Sequence, residues 1–296
     1  MRVTANMSQR STMRDLNVAL ERLQDAQRRL SSGKTNERVS DDPRAATDVM
    51  FLRQQLGRMD QTERTRDDTK SRLEVADSTL LSASDLLGRA RELAIRAANT
   101  GANDQNSRAA IETELRALRE EGIGLANTEF LGRSIFGGTT VTSAYDEATG
   151  GYLGDDVVQQ RTVDDGVTVA ANLTGPQVFG DPAGPGGDVF AVLDRLADAV
   201  RDGDNAAMAV EQGRLDQAKT QIGNGLAEVG RRVAQLDELD VRTDVRKADL
   251  QERLSEIEDV DLAEAIVQSQ NQENAYQAAL AAVARSSPPS LIQFLN

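Results

Sequence analysis

The sequence predicts a mainly α protein: a long antiparallel helical bundle with paired N- and C-terminal coiled-coil arms and a small β-rich inserted domain. Three observations carry that prediction. Leu and Ala recur at alternating spacings of three and four near both ends of the chain. Only 3% of the 296 residues are aromatic, with no Trp. Between the two helical halves lies a glycine- and proline-rich stretch with alternating valines. Aromatic side chains supply much of the buried area of a thick core, whereas long helices buried along one stripe need far less apolar material.

The first helix carries Met13, Leu16, Leu20, Leu23 and Leu30 on a heptad seam, with Gln27 in the one polar slot. Gly33 ends it, because glycine tolerates the left-handed C-terminal position. Asp42 caps the next helix and Pro43 opens it, where the missing N–H of proline leaves nothing unpaired. No proline follows until well beyond Asn99. Val49, Leu52, Leu56 and Met59 form one stripe, and Leu73, Ala76, Leu80, Ala83, Leu87, Ala90, Ala94 and Ala97 another. Asp60 to Arg72 between them is almost wholly polar, so the helix is expected to be bare or loosened there. If continuous it would reach about 85 Å. A third helix runs from about Arg108 to Ala126.

Strand-like pieces appear in "DVVQQRTV" and "GVTVAANL", with Asp165-Gly166 as the hairpin turn between them. Helices resume at Asp188 to Arg201 and at about Asn205 to Ile257. In the latter, Leu215, Ile222, Val229, Leu236, Leu250 and Ile257 lie on a seven-residue grid, with Thr243 at the missing node. The last helix, about Leu262 to Arg285, carries Leu262, Ile266, Tyr276, Leu280 and Val283 at heptad spacing. Pro288 and Pro289 stop it, and an apolar tail with Leu291 and Phe294 follows. The expected domains are residues 1–40 with 260–296, residues 41–140 with 188–259, and residues 141–187.

Charge favours pairing of the ends. Residues 1–40 hold eight basic and four acidic side chains, residues 258–296 one basic and five acidic, so the arms have opposite sign. Each exposed pair is worth only about 0–1 kcal/mol. The whole chain carries −14, which repels nucleic acid on average. No run reaches the length of a membrane span, and the N-terminus lacks the apolar core of a secretory signal. Without His or Cys, thiolate nucleophiles, an imidazole base and thiolate or imidazole zinc sites are excluded. Ser-Gly-Lys-Thr at residues 32–35 suggests a phosphate loop, but that pattern needs a glycine where Arg28 stands and a strand where a heptad helix lies. The paired aspartates at 155–156 and 164–165 lack the alternation of a calcium loop. No catalytic residue, cofactor or metal is assigned.

The terminal seams are narrow, and breaks separate them from the larger bundle. Such arms gain stability when neighbouring copies cover them. The assembly residues assigned are Met13, Leu16, Leu20, Leu23 and Leu30, packing with Leu262, Ile266, Tyr276, Leu280 and Val283, together with Leu291 and Phe294 of the tail. Gly33, Asp42 and Pro43 form the arm-to-bundle joint.

"MRVTAN" and "QRRLSSGKTNERVSDDPRAA" resemble the N-terminal signature of the hook-associated protein 3 family of bacterial flagella, and Asp42-Pro43 is the local feature that separates it from flagellins. "NTEFLGRSIFGGTT", "DGVTVAANLTGPQVFG" and "QNQENAYQAALAAVARSSPPSLIQFLN" extend the resemblance over essentially the whole chain. The resemblance implies a non-enzymatic ring of copies of the chain between hook-associated protein 1 and flagellin. The arms would form an inner tube and the β insert would face outward. It implies an extracellular place in the flagellum, export through the flagellar type III apparatus without a cleaved signal, an export chaperone for the arms, and no cofactor. A flagellin forming the filament itself is the alternative; a cytoplasmic coiled-coil scaffold is a further one.

Overall fold

A computed structural model describes residues 2–35, 40, 42–99 and 105–286. Among the described residues 75% are helical, in seven helices, with two small two-stranded sheets beside them. In order these are α1 (Arg2–Ser32), α2 (Pro43–Asn99), α3 (Gln105–Ala126), β1 (Glu129–Phe130), β2 (Arg133–Ser134), β3 (Gln160–Asp164), β4 (Val167–Ala170), α4 (Gly175–Phe179), α5 (Val189–Asp202), α6 (Asn205–Glu258) and α7 (Leu262–Ser286). The mainly α class expected above is the class observed. The chain divides into two compact units, Met1–Arg58 with Val245–Asn296, and Met59–Asp244.

The unit Met59–Asp244 holds the principal core. Leu73, Leu80, Leu87 and Ala94 of α2 are buried with Ile111 and Leu115 of α3, Leu193 and Leu196 of α5, and Leu215, Ile222, Val229 and Leu236 of α6. The seven-residue grid of α6 is therefore its buried edge. Five of the nine aromatic residues gather in one cluster within this core: Phe136, Tyr145, Tyr152, Phe179 and Phe190, with ring centroids 5.0–5.9 Å apart. Concentrating scarce rings in one cluster lets the helical remainder manage on Leu, Val and Ala. Asp188 caps α5 by accepting from the Ala191 amide (2.8 Å), and Gly203 closes it in the left-handed conformation.

The β-rich insert is not set apart from this core. Val163 of β3, Val169 of β4 and Phe179 of α4 are buried in the same cluster as the helices. β3 and β4 form the expected antiparallel hairpin, with Gly166 at φ +75° in its turn. A second hairpin, β1–β2, pairs Phe130 with Arg133 and leaves only Leu131 and Gly132 in the turn.

The polar stretch from Asp60 to Arg72 is continuous helix, not bare or loosened. Arg66 is 1% exposed. Its Nε donates to Asp240 (2.6 Å) and its Nη1 to the Val163 carbonyl (2.9 Å). Arg72 donates to the Ser134 carbonyl (3.0 Å). From α6, Arg232 donates to the carbonyls of Ala170 (3.1 Å) and Asn172 (2.8 Å). Backbone carbonyls of the insert therefore end on arginines of the two long helices. A run that is too polar for a helix–helix seam is what satisfying buried carbonyls requires. Arg231 and Arg232 hold the Glu228 carboxyl down at about 2.

Candidate assembly site

The joint between arm and rod is built from backbone first. Gly33 adopts φ +69° and donates to the Arg29 carbonyl (2.9 Å), ending α1 with a left-handed cap. The chain then pairs with the α6–α7 link: Thr35 N–H donates to Glu258 O (2.8 Å), Val260 N–H to Gly33 O (2.9 Å), and Thr35 Oγ1 to Asp259 O (3.0 Å). Asp42 accepts from the amides of Arg44 (3.0 Å) and Ala45 (3.1 Å), and Pro43 is the first residue of α2. Gly33, Asp42 and Pro43 thus take the turn and cap positions assigned to them from sequence. Asp261 caps α7 through the Ala263 amide (2.9 Å).

One carboxylate ties these pieces together. Glu258, at the last position of α6, meets Lys34 and accepts two bonds from Arg53 Nη2 (2.6 and 2.8 Å). The Lys34 ammonium, and after it Arg53, hold its carboxyl below the ordinary range. Its contribution is therefore present above the ordinary glutamate value and is lost as pH falls through the depressed one. Acidification, or Glu258→Gln at neutral pH, is expected to speed hydrogen exchange at the amides of Thr35 and Val260 several-fold, while the core of Met59–Asp244 keeps its protection. Unchanged exchange at both amides would refute the latch.

The arm itself is the packed pair α1 and α7. On α1 the covered residues are Thr12, Leu16, Ala19, Leu20, Leu23, Ala26 and Leu30, and Met13 is 51% exposed. On α7 they are Ala265, Ser269, Gln272, Tyr276, Ala279 and Val283. Leu262, Ile266 and Leu280, expected in the seam, face solvent instead; Leu262 is 56% exposed. The heptad period is present, but on α7 the covered stripe is offset toward smaller side chains. The two stripes, 265/269/272/276/279/283 and 262/266/280, lie side by side on a helix of 3.6 residues per turn, and contact with α1 covers only the first. Leu291 and Phe294 lie outside the described residues.

The outward face of the arm consequently carries Met7, Met13 and Val18 on α1 and Leu262, Ile266, Val267 and Leu280 on α7. Scattered exposed hydrophobes are ordinary, but a run of them along a thinly packed helix pair marks an interaction surface. Lone-sequence reasoning missed Glu258, Arg53 and Arg66. The acidic break before α7 pointed to the first. Nothing local singled out Arg66, whose partners lie on other elements.

Comparison with known proteins points the same way. Residues 3–141 match the family model described as the bacterial flagellin N-terminal helical region. Flagellar hook-associated protein 3 of Salmonella typhimurium is 27% identical over 94% of each chain. The chain is a homologue of flagellar hook-associated protein 3. A solved Vibrio parahaemolyticus structure assigned as a flagellar hook-associated protein superposes with a TM-score of 0.69 at 25% identity, covering 74% of this chain and 100% of that one. Flagellin of Bacillus subtilis is also 27% identical, over 100% of both chains. The homologue described here is accordingly a structural protein of the bacterial flagellum, and the relatives named are structural proteins, not enzymes.

Proposed function

We propose that this chain forms a ring at the hook–filament junction, between hook-associated protein 1 and flagellin, with its arms packed into the inner wall. The observation that carries this reading is the arm: a weakly covered α1–α7 pair that leaves Met13, Leu262, Ile266, Val267 and Leu280 outside its own seam. A helix pair of that kind is completed by neighbours. The resemblance to hook-associated protein 3 supports the junction over the filament. Export through the flagellar type III apparatus, an export chaperone that holds the arms, and an extracellular final location belong to the same proposal. So does the residue-level assignment, with the seam residues holding the arm and the exposed ones meeting other copies. The proposal involves no catalytic step and no cofactor.

Deleting the gene is expected to leave hooks without filaments, and the purified chain is expected not to grow long polymers. Long homopolymers would establish the filament role instead. A cytoplasmic scaffold would show strong hydrogen-exchange protection of residues 1–40 and 260–296 in the isolated chain, and an axial protein rapid exchange there. Leu280→Asp sharpens the surface assignment. Leu280 is 43% exposed, so the charge can stay in water in the monomer and the unfolding midpoint is expected to hold. Burial against a neighbour would strand the charge, so incorporation into flagella is expected to fall about tenfold or more. Normal incorporation would remove Leu280 from the interface.

A further inference from the structure

Three arginines join the β insert to the long helices, and one of them lacks a carboxylate partner. Arg66 Nε donates to Asp240 (2.6 Å) and Arg232 Nε to Glu228 (2.7 Å). Arg72 is 7% exposed and has no carboxylate within hydrogen-bond reach among the described residues. Its Nη2 donates to the Ser134 carbonyl (3.0 Å), and its Nε is buried with no partner. A guanidinium stays charged when buried, so an unpaired donor on it is costly.

The surroundings of Arg72 add positive charge. Arg133, the residue before Ser134 on β2, is exposed. Arg161 of β3 places Nη2 3.7 Å from Asp68 Oδ2, beyond a hydrogen bond. Asp68 lies one helical turn before Arg72 on α2. Burial, and after it the charges of Arg133 and Arg161, push the Arg72 guanidinium below the ordinary arginine value, and Asp68 is the one carboxylate acting the other way. Glu129, the acidic residue of the β1–β2 hairpin, pairs across from Ser134, so strand alternation sets it on the opposite face from Arg133. Three guanidinium groups share one distant carboxylate, a local surplus of two positive charges on a chain whose net charge is −14.

We infer that the corner between α2, β2 and β3 is an oxyanion site, where Arg72, Arg133 and Arg161 bind a free tetrahedral dianion, inorganic phosphate or sulfate. Planar guanidinium forks match such oxygens, and three forks from three elements suit a tetrahedral ion better than a two-oxygen carboxylate. The charge of the dianion equals the surplus. Bound there, it ties α2 to both hairpins, as Asp240 and Glu228 complete Arg66 and Arg232. The site belongs to a single copy, so it stands or falls independently of the junction ring.

The test uses the purified full-length chain at about pH 8, where a phosphate group carries close to two charges. Inorganic phosphate at about ten times its dissociation constant is expected to raise the unfolding midpoint of Met59–Asp244 by about 3–6 °C over sodium chloride of equal ionic strength. Phosphorus-31 line broadening reads binding directly, apart from the general stabilisation that phosphate and sulfate give to folded proteins. Sulfate is expected to compete and sharpen the line, and acetate is not. Arg133→Gln removes a like charge beside Arg72, so its phosphate-free midpoint is expected to hold or rise while its phosphate affinity falls about tenfold. Arg133→Glu supplies the negative charge from the chain itself, so it is expected to raise the phosphate-free midpoint and abolish the phosphate response. No broadening with wild type, or equal broadening with Arg133→Gln, overturns the site. Acetate competing as well as sulfate overturns the dianion, and a lowered phosphate-free midpoint in Arg133→Glu overturns the unmet demand for negative charge on which the site rests.

Discussion

Arg66→Met is expected to lower the unfolding midpoint of the unit Met59–Asp244 by about 6–12 °C, the largest stability effect of any single polar substitution considered. Arg66 is buried, and its guanidinium serves both Asp240 and the Val163 carbonyl. Removing one member of a buried ion pair costs about 3–5 kcal/mol, chiefly because the remaining group is left without its partner. The lower end applies here, because the Asp240 side chain is 30% exposed and regains water. About 3 kcal/mol corresponds to roughly 6–12 °C for a domain of 150–250 residues. The double substitution Arg66→Met with Asp240→Leu is expected to recover most of the loss, since an apolar pair leaves no orphaned charge. Thermal unfolding of both variants followed by circular dichroism decides the matter. A midpoint within about 2 °C of wild type for Arg66→Met would mean that the insert does not depend on this arginine.

Leu23→Asp is expected to abolish assembly while leaving the principal core intact. Leu23 is buried, as is Ala26 one turn further along α1. Its burial is worth about 1.5–3 kcal/mol, and an unpaired carboxylate in its place adds a desolvation cost of similar or larger size. Against it α7 offers only Tyr276 and Val283 as larger apolar side chains, beside Ala265, Ser269, Gln272 and Ala279. The measurement is incorporation into flagella, expected to fall by more than about tenfold, alongside the unfolding midpoint of Met59–Asp244, expected to stay within about 2 °C. The contrast with Leu280→Asp is informative: Leu23→Asp acts by unpairing α1 from α7, Leu280→Asp by spoiling an outward contact. Normal incorporation of the Leu23→Asp chain would refute the arm as an assembly element.

Much of this architecture was legible from periodicity. The grid Leu215, Ile222, Val229 and Leu236 and the stripe from Leu73 to Ala97 are buried as the spacing predicts, because a seven-residue repeat can place only one face of a helix against a neighbour. The caps at the joint were legible for the same local reason: Gly33 and Asp42 act on backbone within a few residues of themselves. The Asp165-Gly166 turn was legible too. The β1–β2 hairpin was not, since Leu-Gly lacks the usual first turn residue and its strands are two residues long.

The arms mark where periodicity runs out. Met13, Leu262, Ile266 and Leu280 satisfy heptad spacing, yet they are exposed, while Thr12, Ala265 and Ala279 are covered. Two overlapping stripes fit the same helix, and only the approach of its partner selects one. On α7 hydrophobicity ranks Leu262, Ile266 and Leu280 first; contact with α1 covers Ala265, Ser269, Gln272, Tyr276, Ala279 and Val283 instead.

Local chemistry in the sequence determined the helices, their caps, the absence of His and Cys chemistry, and the opposite charge of the two arms. Those properties depend on residues near one another along the chain. Tertiary structure decided which arm face looks outward, and that Arg66, Arg72 and Arg232 hold the β insert. It also decided that Glu258 meets Lys34 and Arg53 at the joint. Each depends on groups far apart in sequence, and the geometry that unites them exists only once the helices have packed.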